Sequence, residues 1–172
     1  MLRDFFEPGA RLNLMLCRMP IGANDFSRDW YSYDESPGAL ELTDFSIAWD
    51  RETLIPFIRA GQAHHRDLRL WASPWIPPTW MKTNGHYAAT EPGPGMTVEN
   101  WIRPDQLDRE GTDMFRLDKA HLEAYADYFA RFVEDYGAEN IPVELVMPQN
   151  EFNSCQVFPS CAWTPTPCGY SP

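Results

Sequence analysis

Three short apolar runs punctuate the chain at wide intervals. They extend from Leu12 to Met19 (LNLMLCRM), from Leu68 to Ala72 (LRLWA) and from Ile141 to Met147 (IPVELVM). Each run has the length and the β-type side chains of a buried strand. The pattern therefore predicts three strands.

Helical periodicity fills the intervals between these runs. From Lys119 to Tyr136 apolar residues recur every three or four positions, with Asp118 placed to cap the helix and Gly137 to end it. Leu54 to Ala60 also favours a helix, provided that Pro56 lies in its first turn, where a missing N–H costs nothing. The predicted order is strand, helix, strand, helix, strand.

This alternation is typical of an α/β fold with parallel strands and right-handed crossovers. The C-terminal ends of such strands gather on one side, which is where α/β folds bind ligands. The long polar stretches Ala23 to Asp50 and Thr83 to Asp118 follow strand ends, so we expect them to form loops on that side.

Composition limits the classes of function. The 172 residues, 44% of them hydrophobic, suffice for one globular core, so the chain is one domain or part of one. A net charge of -11 repels phosphate backbones and argues against nucleic acid as a partner. Charged residues interrupt the apolar N-terminus, so no signal peptide and no membrane span is apparent there. We expect the longer parent protein to be secreted or periplasmic.

No metal or cofactor motif is present. His64 and His65 lack the spacing of two zinc ligands on one helical face, and the sequence has no glycine-rich phosphate loop. We therefore expect no metal and no cofactor. Whether a disulfide forms among Cys155, Cys161 and Cys168, which share a proline-rich tail, stays open.

Polar and aromatic residues follow all three predicted strands. Indole rings suit the C–H faces of a sugar, whereas carboxylate, amide and guanidinium groups suit its hydroxyls. If the strand ends are adjacent, these residues form a sugar pocket: Arg18, Asp25, Trp75, Trp80, Asn150 and Glu151.

Each of these residues also has a simpler interpretation. Trp75 and Trp80 could pack in the core, and Asp25 could cap a turn. Arg18 could be the structural partner of a carboxylate, and Glu151 alone could be a solvated surface acid. Their joint position at strand ends favours the sugar site.

The order of six motifs resembles glycoside hydrolase family 30, the glucosylceramidase-like retaining β-glycosidases. The motifs are RMPIGANDFS, YSY, FSI, ASPWIPPTWMKTNG, YADYFARF and QNE, and the resemblance extends from about Arg11 to the end. It implies a (β/α)8 TIM barrel of which this chain, residues 1–172, is a fragment covering about strands two to four.

The resemblance also implies roles for individual residues. Glu151 matches the family's general acid/base at the end of strand four, and Asn150 matches the neighbour that binds the sugar's 2-hydroxyl. Asp25 and Trp80 match residues of the glycone pocket, and Arg18 matches the arginine at the end of strand two. The implied substrate is a β-linked glucoside, glucan or glycolipid.

Two departures from the family pattern matter. Phe152 stands where the family commonly has proline, so the aglycone side is expected to differ. The glutamate that serves as nucleophile on strand seven is absent, and Glu139 and Glu144 precede or lie within the third strand and cannot replace it.

We therefore expect the chain by itself to hydrolyse nothing, whereas its full-length parent is a retaining enzyme. Two alternatives remain: a carbohydrate-binding remnant without turnover, and a purely structural or interaction domain. The exact substrate also stays open among glucosylceramide, β-glucosides, β-1,6-glucan and β-xylosides.

Overall fold

The computed structural model describes residues 1–164, and Cys168 lies outside the described residues. Three parallel strands form one sheet in the order β1-β2-β3: Leu16–Ile21 (β1), Arg69–Pro74 (β2) and Leu145–Val146 (β3). The helices are Leu2–Phe6 (α1), Ala48–Glu52 (α2), Leu54–Gln62 (α3) and Lys119–Ala138 (α4). Short 3-10 helices occupy Thr79–Met81 and Pro104–Gln106. The predicted parallel strand order is confirmed.

The first strand begins later than the apolar run predicted. Leu12 N–H donates to the Asp4 carbonyl and Leu14 N–H to the Phe5 carbonyl, so this part of the run is bonded to the α1 segment instead of the sheet. β1 continues through Pro20, which is tolerated here because β1 lies at the edge of the described sheet. Apolar content located the strand, whereas local hydrogen bonds set its start.

The third strand is much shorter than its apolar run. Pro142 and Pro148 lack an N–H, which limits regular pairing to Leu145–Val146. Main-chain bonds nevertheless keep the flanking residues beside β2, from Glu144 N–H to the Leu70 carbonyl and from Met147 N–H to the Ala72 carbonyl. The chain therefore still reaches the C-terminal edge of the sheet.

The two main helices follow the predicted periodicity. In α3, Pro56 lies in the first turn as expected. In α4, the Asp118 side chain accepts a hydrogen bond from His121 N–H and caps the N-terminus. The predicted stop at Gly137 is wrong, because α4 continues to Ala138 and Asn140 takes the left-handed backbone conformation with φ 59°.

The two faces of the sheet differ in burial. Met19, Ile21, Leu70 and Ala72 are buried in one apolar core with side chains from α3 and α4, among them Ile55, Ile58, Tyr128 and Phe132. The strand register places Leu16, Arg18, Arg69, Trp71 and Leu145 on the opposite face. That face is open, with Leu16 and Leu145 each 55% exposed.

A buried carboxylate holds the first long loop in place. Asp50 is fully buried and accepts hydrogen bonds from the hydroxyls of Tyr31 and Tyr33, at 2.6 Å each, and of Tyr136, at 2.5 Å. Burial, followed by the charge of Asp50, raises the pKa of all three tyrosines well above its ordinary value. The loop after β1 is thus joined to α2 and α4 by one charged group.

Among residues 1–164, none of the helices has the length and apolar character needed to cross a membrane.

Candidate functional site

Arg18 connects the C-terminal ends of the strands. Its Nη2 donates to Asn150 Oδ1 at 2.7 Å, and its guanidinium carbon lies 4.2 Å from the ring centre of Trp75 and 5.3 Å from that of Trp71. Arginine can only donate, so this contact identifies the Asn150 atom as the amide oxygen. The amide nitrogen of Asn150 is then left to donate to another group.

The residues before Glu151 are fixed on the sheet. Asn150 N–H donates to the Pro74 carbonyl at 2.8 Å. Gln149 is buried, and its Nε2 donates to the carbonyls of Trp75 and Asn150 at 2.8 Å each. Main chain and side chains together position the end of the third strand against the loop after the second.

Glu151 occupies an unusual backbone position directly after this support. Its φ is 51°, in the left-handed region, which costs an L-residue about 1 kcal/mol. Such conformations concentrate at functional sites. The residue is exposed, and within residues 1–164 no hydrogen bond or ion pair holds its carboxylate. The carboxylate is therefore accessible to a ligand.

Asp25 lies in a tight turn after β1. Asn24 builds this turn, because its Oδ1 accepts from Phe26 N–H at 2.7 Å and its N–H donates to Ser27 Oγ at 2.8 Å. Asp25 itself is half-buried, and its carboxylate has no hydrogen-bond or ion-pair partner in the described part of the chain. The turn-capping role therefore belongs to Asn24, and the Asp25 carboxylate remains available.

Trp80 connects the loop after β2 to the loop after β1. Its Nε1 donates to the Asp34 carbonyl at 3.0 Å, and its ring lies 5.8 Å from the ring of His121. Next to it, the Glu35 carboxylate accepts hydrogen bonds from Thr79 N–H at 3.2 Å and from the Tyr87 hydroxyl at 3.0 Å. Trp80 is half-buried, so it contributes to packing and still presents part of its ring.

Lys82 anchors the same loop from inside. The residue is fully buried, and its ammonium donates to the carbonyls of His86 at 2.5 Å, Tyr87 at 3.1 Å and Ser160 at 2.8 Å. Burial lowers the pKa of Lys82 to about 8. This interior cation joins the loop after β2 to the segment after β3.

The structure brings some of the predicted site residues together. Arg18 and Asn150 are in contact, and Glu151 is adjacent. Asp25 and Trp80 follow the same C-terminal edge of the sheet, yet within residues 1–164 no hydrogen bond joins either to Asn150 or Glu151.

Among the described residues, some buried polar atoms near the strand ends have no hydrogen-bond partner, and the cysteines are unpaired. Ser73 Oγ and Trp75 Nε1 are buried at the end of β2 without a hydrogen-bond partner in the described residues. Cys17, Cys155 and Cys161 are free thiols. In the same residues, no three His, Cys, Asp or Glu side chains are grouped so that they could hold a metal ion.

Comparison with known families decides the relationship. A profile of the "Glycosyl hydrolase family 30 TIM-barrel domain" matches residues 1–158. The chain belongs to glycosyl hydrolase family 30. Its open parallel sheet with helices is accordingly part of a TIM barrel, as the sequence motifs predicted.

Individual relatives agree with membership of family 30. "Putative glucosylceramidase 1" of Caenorhabditis elegans is 32% identical over 141 residues, 81% of this chain and 23% of the relative. "Endo-1,6-beta-D-glucanase" of Neurospora crassa is 28% identical over 145 residues, 83% of this chain and 26% of the relative. The chain thus spans about a quarter of the length of these relatives.

A solved structure shows the same likeness in three dimensions. SrfJ from Salmonella typhimurium superposes with a TM-score of 0.71 at 28% identity, covering 95% of this chain and 31% of SrfJ. Family 30 relatives are glycoside hydrolases, including proteins named as glucosylceramidase and glucanase.

Several supporting residues were not predicted from the sequence. Gln149 and Lys82 are polar residues buried at loop ends, and a single sequence does not distinguish them from exposed ones. The interaction of Trp71 with Arg18 depends on strand register, which places them side by side. The contact between Trp71 and Arg18 follows from the sequence once the register of the two parallel strands is known.

Proposed function

We propose that residues 1–172 are part of the single catalytic domain of a retaining β-glycosidase, with Glu151 as general acid/base. The observation that carries this proposal is the position of Asn150 and Glu151 shortly after β3, with the Asn150 amide oriented by Arg18. Family membership supplies the class of reaction, and the local geometry supports the assignment of roles.

The contacts around Asn150 suit its proposed role. With its oxygen bound by Arg18, the amide nitrogen donates to the sugar's 2-hydroxyl. Such a hydrogen bond strengthens as the oxocarbenium-like transition state develops, which makes it catalytic and not merely a binding contact. Asp25 and Trp80 bind the glycone sugar, through hydroxyls and a ring face respectively, and Arg18 holds Asn150 in place.

Glu151 first donates a proton to the leaving oxygen and later removes one from water. Its carboxylate is accessible and unpaired in the described residues, as this exchange with ligand and solvent requires. The reaction also needs a second carboxylate about 5 Å away to attack the anomeric carbon.

We propose that the second carboxylate comes from outside these 172 residues. Glu139 forms ion pairs with Arg51 at 2.7 Å and Arg59 at 2.6 Å, and Glu144 forms one with Arg69 at 2.5 Å. Both acids precede β3, at the end of the sheet opposite Glu151, and their arginine partners lower the pKa of each carboxyl. Neither is placed to act as the nucleophile, so the chain by itself forms no covalent glycosyl intermediate.

The proposed substrate is a β-linked glucoside, glucan or glycolipid. The relatives' names include both a glucosylceramidase and a β-1,6-glucanase, so family membership leaves the aglycone open. Phe152, 49% exposed directly after Glu151, gives the aglycone side an apolar surface in place of the family's usual proline.

The decisive test is Glu151→Gln in a full-length protein that contains this segment. Glutamine cannot donate the proton, so turnover of alkyl β-glucosides should fall by about 10²–10⁴-fold. Nitrophenyl β-glycosides have good leaving groups and should lose much less in the glycosylation step, which pre-steady-state kinetics measures separately.

Glu134→Gln is the matched control, because Glu134 is an exposed acid near the end of α4, before the chain enters β3, whereas Glu151 follows β3. It should leave both rates unchanged. Equal loss for substrates with good and poor leaving groups would contradict the acid role of Glu151. Saturable sugar binding without any turnover in the full-length protein would instead indicate the non-catalytic alternative.

A further inference from the structure

A cavity of about 570 Å³ opens between the loops that follow all three strands. Asp25 and Trp30 line it from the loop after β1, Glu99 and Trp101 from the loop after β2, and Phe158 from the segment after β3. Asp25 is therefore shared between the proposed glycone pocket and this second space.

Trp101 projects into water from a fixed turn. Trp101 is 80% exposed. Its backbone has a φ of 50°, in the strained left-handed region. The preceding Asn100 is buried, and its Nδ2 donates to the carbonyls of Thr90 at 2.8 Å and Val157 at 2.9 Å. An indole that is held out in solvent by a buried anchor is well placed to stack against a ligand.

A second indole forms another wall. Trp30 is half-buried and packs against Tyr87 with ring centres 5.9 Å apart. The Tyr87 hydroxyl in turn donates to the Glu35 carboxylate at 3.0 Å, so this wall is tied to the loop framework. Aromatic faces on preformed supports bind with little loss of side-chain entropy.

The charged groups of the cavity provide acceptors for hydroxyl groups. Arg28 is bound to Asp29 at 2.9 Å, which neutralises that pair. The Asp25 and Glu99 carboxylates have no hydrogen-bond or ion-pair partner in the described residues. Unpaired carboxylates beside indole faces match the hydroxyls and C–H faces of a neutral sugar, whereas a lipid tail would require a continuous apolar wall.

We propose that this cavity is a second saccharide subsite, which binds a further unit of a β-linked oligosaccharide beside the sugar held by Asp25. The inference rests on the proposed function, because it takes Asp25 as a glycone contact. It deepens that function by favouring a glucan or other oligosaccharide over a glycolipid with a single sugar. Trp101 is its principal stacking residue, and Glu99 is its hydroxyl acceptor.

The test is binding of gentiotriose, a β-1,6-linked glucose trimer, to the purified 172-residue chain by isothermal titration and tryptophan fluorescence. Saturable binding is expected, with an affinity about tenfold lower in Trp101→Ala because the stacking face is lost. Trp101→Phe should retain most of the affinity. Binding of methyl β-glucoside, which has only one sugar unit, should not change in Trp101→Ala.

Phe57→Ala is the matched control, since Phe57 is an exposed aromatic residue on α3 that does not line the cavity. It should bind gentiotriose like the parent chain. Equal affinity in Trp101→Ala, absence of saturable gentiotriose binding, or tighter binding of choline than of the sugar would each overturn the subsite. The choline result would indicate a cation site.

These outcomes are separate from those of the Glu151→Gln kinetics. Unchanged gentiotriose binding in Trp101→Ala would leave the glycosidase role intact. Conversely, full activity in Glu151→Gln together with weaker binding in Trp101→Ala would remove the proposed mechanism and keep a saccharide site.

Discussion

At the scale of single residues, Lys82 shows how an interior charge can serve as a structural support. Three backbone carbonyls surround its ammonium, and burial lowers its pKa to about 8. Between this value and the ordinary pKa of 10.5, the unfolded state binds more protons at Lys82 than the folded state. The contribution of this residue to stability therefore increases as pH rises through that window.

Lys82→Met isolates this effect. Methionine has a similar length and no titrating group, so the free energy of unfolding of the parent minus that of the variant should rise by about 2 kcal/mol from pH 8 to pH 10. Urea denaturation at several pH values measures both quantities. The comparison with the variant is needed because two thiols also titrate. Burial raises the pKa of Cys155 to about 11 and of Cys161 to about 12, so both lower the stability of the parent and of the variant above pH 9. A difference that stays constant over this range would contradict the assignment.

The sequence offers candidates for chemistry more readily than it reveals the residues that support them. Asp25, Trp80 and Asn150 stand out because they are polar or aromatic side chains a few residues after the ends of apolar strands. Lys82 does not, since nothing local reveals that its partners come from residues 86, 87 and 160. Two of these carbonyls belong to the same loop, but the third comes from the segment after β3, and a pattern along one chain contains no information about that contact.

At the scale of elements, the turn that ends β1 directs the chain toward Asp25. Gly22 has φ 71°, and its N–H donates to the Tyr33 hydroxyl at 3.0 Å. A Cβ at this position would lie 3.1 Å from the Tyr31 carbonyl oxygen. That oxygen accepts from Ala23 N–H, and the Tyr31 hydroxyl is bound to Asp50, so it has little freedom to move.

Gly22→Ala should therefore destabilise the protein by more than the cost of placing alanine in a left-handed conformation. Gly38→Ala is the control, because Gly38 has φ 74° and a Cβ added there would meet no atom within 4 Å. Both variants lose about 1 kcal/mol of backbone preference, and Gly22→Ala should lose at least about 1 kcal/mol more through the close contact. Urea midpoints measure the two losses, and equal values would show that the turn can relax.

Helices were easier to predict than strands for a physical reason. The periodicity of α4 repeats over 20 residues, and its cap is local to Asp118 and His121. The extent of β3 instead depends on which N–H groups find partners on β2, and two prolines remove them. The end of α4 was misplaced because Asn140, not Gly137, adopts the left-handed conformation.

At the scale of the whole molecule, the open face of the sheet is its least protected surface. A cavity of about 510 Å³ on this face is lined by apolar and charged side chains: Leu16, Arg69, Trp71, Glu144, Leu145 and Met147. β1 and β3 also have free edges within the described sheet. Contiguous apolar surface and unpaired strand edges both favour association between copies.

Leu145→Lys should reduce this association. A charge on the open face, carried by the edge strand β3, opposes contact between two such surfaces. Light scattering should therefore begin at a higher protein concentration, and binding of the dye ANS should fall. Leu107→Lys is the control, since Leu107 is 41% exposed but belongs to a loop away from the strands. If both variants improve solubility equally, net charge and not the sheet face is responsible.

The general architecture was accessible from the sequence, because alternating strands and helices permit few parallel arrangements. Which of the candidate site residues meet in space could be predicted only in part. Arg18 and Asn150 meet because strand order and register bring them together. The cavity beside Asp25 could not be predicted, since Trp101 and Phe158 reach it from loops whose paths depend on buried anchors.

The cluster around Asp50 has a consequence for synthesis of the chain. Asp50 leaves the ribosome 86 residues before Tyr136, and at ordinary translation rates this interval is on the order of ten seconds. During that time the carboxylate lacks one of its three hydroxyl partners and stays hydrated. The loop that carries Asp25 therefore reaches its final arrangement only after α4 has emerged, so the order of translation makes the C-terminal edge of the sheet a late product of folding.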